Sequence, residues 1–230
     1  MTAFLALSAA GYLNGVTMRE VSDKYPTLLT PAPYAFSIWA LICLGLTAFS
    51  LYQLHPATRE RFRPARTLYI VSCVLNCGWI YFWHREDIAA SFGLIAVLIA
   101  VLLVTYLRLE GCRSVAETWL MQAPFGLYFG WVTALAMMVF TTFLQSTGVQ
   151  AASSNIFAIM LILIVTASAV LVRIKLGNFF FPLAIAWGLT AIAIKQGSNT
   201  PIILACALGV VTCLITAGSF VMHLRDSTSE

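Results

Sequence analysis

Charge is what this sequence has least of. Lys, Arg, Asp and Glu together make up 10% of 230 residues, 13 basic and 9 acidic, where soluble domains carry roughly 25%. That scarcity excludes an ordinary water-soluble domain, and the small excess of base gives no footing for a nucleic-acid partner. Catalytic residue types are as sparse. His55, His84 and His223 are the three histidines, each in a loop or at the end of an apolar run with no nucleophile at a recognisable spacing. Five of the six cysteines, Cys43, Cys73, Cys77, Cys206 and Cys213, fall inside apolar runs. No His or carboxylate stands at ligand spacing from Cys73 and Cys77, so neither a zinc site nor a disulfide framework is expected. Glu86 and Asp87 are chain neighbours whose side chains diverge rather than meet on one substrate. No carboxylate falls inside an apolar run, which argues against an ion- or proton-coupled pump. No acid–base pair, metal set or phosphate-binding loop is visible, so the expectation is a catalytic site of none and a non-enzymatic protein.

What fills the chain instead is apolar: 60% of residues are hydrophobic and the mean hydropathy is +0.90. The environment expected is the lipid bilayer. Eight apolar runs cover residues 1–14, 34–54, 67–83, 88–107, 119–144, 156–172, 179–194 and 201–222. Most are about twice the ~10 alternating residues of a transmembrane β-strand. The fold class predicted is therefore all-α, a polytopic membrane helical bundle. The first run falls short of the ~20 residues of a full span. Basic residues set the orientation. Arg59, Arg61, Arg63, Arg66, Arg108, Arg113, Arg173, Lys175 and Arg225 lie on one side, and Arg19, Lys24, Arg85 and Lys195 on the other. The richer set is assigned to the cytoplasm, with both termini beside it if every run spans. The polar loop 15–33 then faces outward, and the membrane expected is a bacterial inner membrane.

Three stretches gather aromatic and polar residues. In the first, Pro31 and Pro33 form a collar that feeds Tyr34, Phe36 and Trp39 into the second run, with Thr30 placed to cap the helix. It reads either as an interfacial aromatic belt or as the lid of a pocket. In the second, Asn76, Trp79 and Trp83 lie on one helical face. The buried amide is either an interhelical hydrogen-bond anchor or a ligand contact, and a ring stripe beside an amide suits a flat conjugated ligand. In the third, Pro124, Tyr128 and Trp131 share a face, while Gly126 and Gly130 form a GxxxG step open to use within the chain or as a homodimer seam. Leu103 to Arg108 fits the loose cholesterol-recognition pattern, which many helix ends match.

Pro31-Ala-Pro33-Tyr34-Ala-Phe36-Ser-Ile-Trp39, Leu75-Asn76-Cys-Gly-Trp79 and Pro124-Phe-Gly-Leu-Tyr128-Phe-Gly-Trp131 together resemble the TspO family, the tryptophan-rich sensory proteins related to the peripheral-type benzodiazepine receptor. The resemblance covers about the first 145 residues in order and helix placement. It departs from the family pattern where Ala32 splits the paired prolines, where Tyr34 replaces a Trp, where Phe36 and Trp39 stand one residue closer, and where Cys43 replaces a Tyr. The usual member has five helices, and this chain adds about three. The resemblance implies a five-helix core over residues 1–145, an additional three-helix extension with a short polar tail over 146–230, and often a homodimer. It also implies a pocket closed by the first loop that takes a small planar hydrophobic ligand such as a tetrapyrrole.

The leading expectation is thus a membrane binding protein, sensor or carrier. Its ligand-binding residues would be Pro31, Pro33, Tyr34, Phe36, Trp39, Asn76, Trp79, Trp83, Pro124, Tyr128 and Trp131, with no metal and, as bound group, a tetrapyrrole or a lipid. The alternative is a structural or regulatory subunit of a larger membrane complex, with Ala205/Gly209 in the extra helices as a docking stripe.

Overall fold

A computed structural model describes residues 1–12, 15, 17–54, 63–109 and 115–226, and among these every regular element is a helix. The first apolar run forms only α1, Thr2–Ala9. Eight residues rise about 12 Å, less than half of the ~30 Å hydrocarbon layer. The expectation of both termini in the cytoplasm rests on that run spanning. Helix α2, Met18–Lys24, interrupts the polar loop with a capping box. Thr17 Oγ1 accepts from the Glu20 amide, and the Glu20 carboxylate accepts from the Thr17 amide at 2.6 Å, which closes two orphan donors reciprocally.

The Pro-Ala-Pro collar leads into a 3₁₀ turn, Pro33–Ser37, and then α3, Ile38–Tyr52. Thr30 does not cap it. Ala32 holds the cap position, and Thr30 instead closes its own turn, its Oγ1 accepting from the Thr27 amide at 2.9 Å. Helix α4, Arg63–His84, starts earlier than the apolar pattern and takes Arg63 and Arg66 out of the basic loop. Arg59, Arg61 and Arg113 lie outside the described residues. After a turn with Glu86 in the left-handed region at φ 58°, Asp87 caps α5, Ile88–Arg108, through the Ala90 amide. A π turn, Thr118–Gln122, runs into α6, Ala123–Ser146, with Pro124 in its first turn, where the missing N–H costs nothing.

Ser154 caps α7, Asn155–Leu176, which ends on Gly177 at φ 67°. Asn178 Oδ1 then accepts from the Phe180 and Phe181 amides and starts α8, Phe180–Lys195. Helix α9, Thr200–Asp226, is the last described element. By length and composition, five stretches among the described residues suffice to cross a membrane: Pro33–Tyr52, Ile88–Arg108, Thr118–Ser146, Asn155–Leu176 and Thr200–Gly218. Helix α4 is long enough but diluted by Asn76, His84 and its rings, and α8 is apolar but short.

Helix α6 is the axis of the bundle. It packs against α3, α5, α7 and α8 and is buried along most of its length. Its two glycines face α8. A methyl at Gly126 would meet the Asn178 amide, and one at Gly130 would meet Phe181 O at 2.6 Å and Ala184 Cβ at 2.8 Å. The GxxxG step is thus an internal seam, which brings the C-terminal helices directly onto the helix that carries Tyr128 and Trp131. Gly209 likewise faces Leu189 and Thr166, so the Ala205/Gly209 stripe packs inside the chain rather than outward. Tyr106 of the cholesterol-like pattern also turns inward, its hydroxyl donating to Leu176 O at 3.4 Å.

Candidate functional site

The three aromatic stretches meet. Helices α3 and α6 run antiparallel, and their contacts descend in register. Phe36 is edge-on to Trp131 at 6.0 Å, Trp39 to Tyr128 at 5.8 Å, and Phe49 to Phe125 at 4.9 Å. Pro124 fits against Gly45, where an added Cβ would be 2.8 Å from its ring. Helix α4 joins through Tyr128, whose hydroxyl donates to Ser72 O at 3.2 Å. Asn76 is one turn beyond Ser72 and Trp79 three residues further, so both follow on the same face. Trp79 in turn stands edge-on to Trp83 at 6.3 Å. Asn76, Trp79, Trp83, Tyr128 and Trp131 are fully buried or within 1% of it. These edge-to-face contacts are the preferred geometry of aromatic quadrupoles.

The centre is not satisfied internally. Both amide atoms of Asn76 and the indole N–H of Trp39, Trp79 and Trp131 are buried without a partner among the described residues. Tyr128, by contrast, has its acceptor. A cavity of about 410 Å³ opens between α1 and α3, with Thr2, Leu5 and Ala6 on one wall and Phe36, Trp39 and Cys43 on the other. It falls in the range of small-molecule sites. Phe36 and Trp39 therefore reach this cavity, while Trp79, Trp83, Tyr128 and Trp131 pack behind it.

Not every residue of the expected set converges. Tyr34 is 37% exposed and turns away from the rings to meet Trp187 of α8 edge-on at 5.3 Å. Pro124 lines an outward groove of about 590 Å³ between α3, α6 and α8. Pro31 is buried and Pro33 half-buried in the collar.

The segment between α1 and α3 is tied on two sides. Glu86, in the α4–α5 turn, receives Lys24 and the Tyr25 hydroxyl, the latter at 2.7 Å. These two hydrogen bonds hold the Glu86 carboxyl below its ordinary value, and the carboxylate holds the Lys24 ammonium above its own. Ser22 reaches the Met138 sulfur of α6 at 3.5 Å. On the other side, Trp187, Lys195 and Gln196 of the C-terminal helices all touch the loop. Sequence reasoning assigned these three no part in the site. The signal available was their placement, with Trp187 and Lys195 eight residues apart on one helical face. His84, placed by the sequence in a loop or at the end of an apolar run, is the last residue of α4 and lies 3.1 Å from the Ser8 hydroxyl of α1. No group of three or more metal-ligating side chains occurs among the described residues.

Fold and site together define an all-α, multi-pass integral membrane protein with a buried aromatic centre. The chain belongs to the TSPO-like protein family, whose profile matches residues 1–220. The match extends past residue 145 through the three C-terminal helices. No curated protein and no solved structure matches the chain.

Proposed function

We propose that this protein binds a planar hydrophobic ligand of the tetrapyrrole kind, as a sensor or carrier, beside α1, α3, α4 and α6 beneath the 15–33 loop. The observation that carries this reading is the set of five unpartnered buried polar atoms on the facing stretches of α3, α4 and α6: Asn76 Nδ2 and Oδ1, and the indole nitrogens of Trp39, Trp79 and Trp131. An unpaired polar group in apolar surroundings costs roughly 1–3 kcal/mol. Trp39 lines the cavity of about 410 Å³, and the four further unpartnered atoms on the facing stretches of α4 and α6 support a ligand with polar edges over packing alone. The rings supply stacking area, the indoles can donate, and the Asn76 amide can both donate and accept. Family membership supports the same class of function. The loop faces the non-cytoplasmic side in this reading, because the arginine-rich ends lie opposite it.

The test is a titration of the purified protein, in lipid nanodiscs, with protoporphyrin IX. Saturable quenching of tryptophan fluorescence is expected, weakened in Trp79→Ala and in Trp131→Ala. Quenching that never saturates, or that both variants leave unchanged, sinks the reading.

A further inference from the structure

One face of α8 is laid along the segment 23–35, which the binding reading takes as the lid of the site. Trp187, Ala191 and Lys195 recur every four residues and so share that face. They meet the loop in reverse chain order. The Trp187 indole N–H donates to Ala35 O at 3.0 Å, Ala191 O accepts from the Ala32 amide at 2.9 Å, and Lys195 pairs with Asp23 at 3.0 Å. Gln196 Nε2 adds a bond to Thr27 O at 3.3 Å, and Tyr34 stands edge-on to Trp187. Backbone groups that a surface loop would give to water are thereby given to a helix. Asp23 and Lys24, adjacent on α2, point about 100° apart, one to α8 and the other to Glu86. The loop is therefore clamped between the α4–α5 turn and α8.

We propose that α8 is the strap of this lid, and that its contacts set how often the loop lifts and so how fast a ligand exchanges at the aromatic site. Trp187 is the positioning residue of the strap. Its indole holds the backbone of the 3₁₀ turn from which Phe36 reaches Trp131 and Trp39 enters the core. The ligand-exchange half of the inference rests on the binding reading; the lid-motion half does not. The hold resides in the neutral contacts, because the Asp23–Lys195 pair is solvent-exposed on both sides and exposed pairs contribute little.

Hydrogen exchange of the 27–35 amides in the ligand-free, full-length protein reads the strap directly, and stopped-flow mixing with protoporphyrin IX, followed by porphyrin absorbance, reads its consequence. Trp187→Phe keeps a ring against Tyr34 and removes only the donor. It is expected to raise exchange at Ala32 and Ala35 about three- to tenfold, the effect of one hydrogen bond. It should speed porphyrin association and release by a similar factor, with a smaller change in Kd. Gln196→Leu should act in the same direction near Thr27. Trp119→Phe, a ring change at a side chain that packs on Phe180, should change neither readout. If folded Trp187→Phe and Gln196→Leu both leave lid exchange at the wild-type rate, the strap is wrong. If lid exchange responds while wild-type protein fails to bind porphyrin, the strap stands for lid motion and the binding reading falls.

Discussion

Asn76 is the residue on which the two readings of the buried amide part company. An interhelical anchor in a membrane bundle contributes roughly 0.6–2 kcal/mol, so removing it would lower stability. Neither amide atom has a partner among the described residues, and Asn76→Leu removes two unpaired groups while keeping the branched shape of the side chain. The ligand-free variant should melt at the wild-type temperature or above, while its affinity for protoporphyrin IX falls about tenfold, the worth of one to two lost hydrogen bonds. A lowered melting temperature would restore the anchor reading. Glu86 gives a prediction of another kind. Its carboxyl is depressed and Lys24 is raised, so the tie is complete between the ordinary values of 4.5 and 10.5. It is lost as pH falls below 4.5 through the depressed carboxyl value, or rises above 10.5 through the raised ammonium value. Amide exchange at residues 22–26, corrected for its intrinsic pH dependence, should stay flat within that window and rise outside it. Glu86→Gln should remove the dependence on the acid side.

At the scale of elements, the seam between α6 and α8 decides how the bundle holds together. The atom facing Gly130 most closely is backbone, Phe181 O, and backbone cannot rotate aside as a side chain can. Gly130→Ala should therefore push α8 off α6 and cost about 1–3 kcal/mol, read as an earlier midpoint in a detergent-denaturation titration. Gly177→Ala should cost stability too, for a different reason. Space is open around it, but its φ of 67° lies in the left-handed region, where a side chain is strained. The seam also bears on the C-terminal helices as a group. A chain cut after residue 145 would uncover Gly126 and Gly130 and leave the lid without Trp187, Ala191 and Lys195. Such a fragment is expected to be polydisperse by size exclusion, and a monodisperse fragment that still binds porphyrin would show residues 1–145 to be self-sufficient.

For the whole molecule, the orientation expected of the site rests on charge alone, since nothing in helix packing distinguishes one leaflet from the other. With the arginine-rich ends in the cytoplasm, Pro26 on the lid should be reachable from outside and Lys175 at the far end should not. In intact cells a membrane-impermeant maleimide should label Pro26→Cys, and Lys175→Cys only after permeabilisation. The reverse pattern would invert the assignment.

Taken by itself, the sequence determined the solvent, the fold class and the family resemblance. Scarce charge and long apolar runs leave helices as the one way to satisfy the backbone in lipid, and caps such as Asp87 and Ser154 mark where helices start. It also placed Trp39, Asn76, Trp79, Tyr128 and Trp131 on elements whose facing sides could be inferred from spacing. It could not say which rings face one another. A membrane helix is apolar all round, so periodicity carries little information about which side is inside, and Tyr34 and Phe36, two residues apart, go to different partners. It took the packed structure to show that Gly126 and Gly130 face α8 and that Trp187, more than 150 residues away in the chain, donates to Ala35 O. Those outcomes depend on close approach between distant segments, which is set by the shape of the packed bundle rather than by any local pattern.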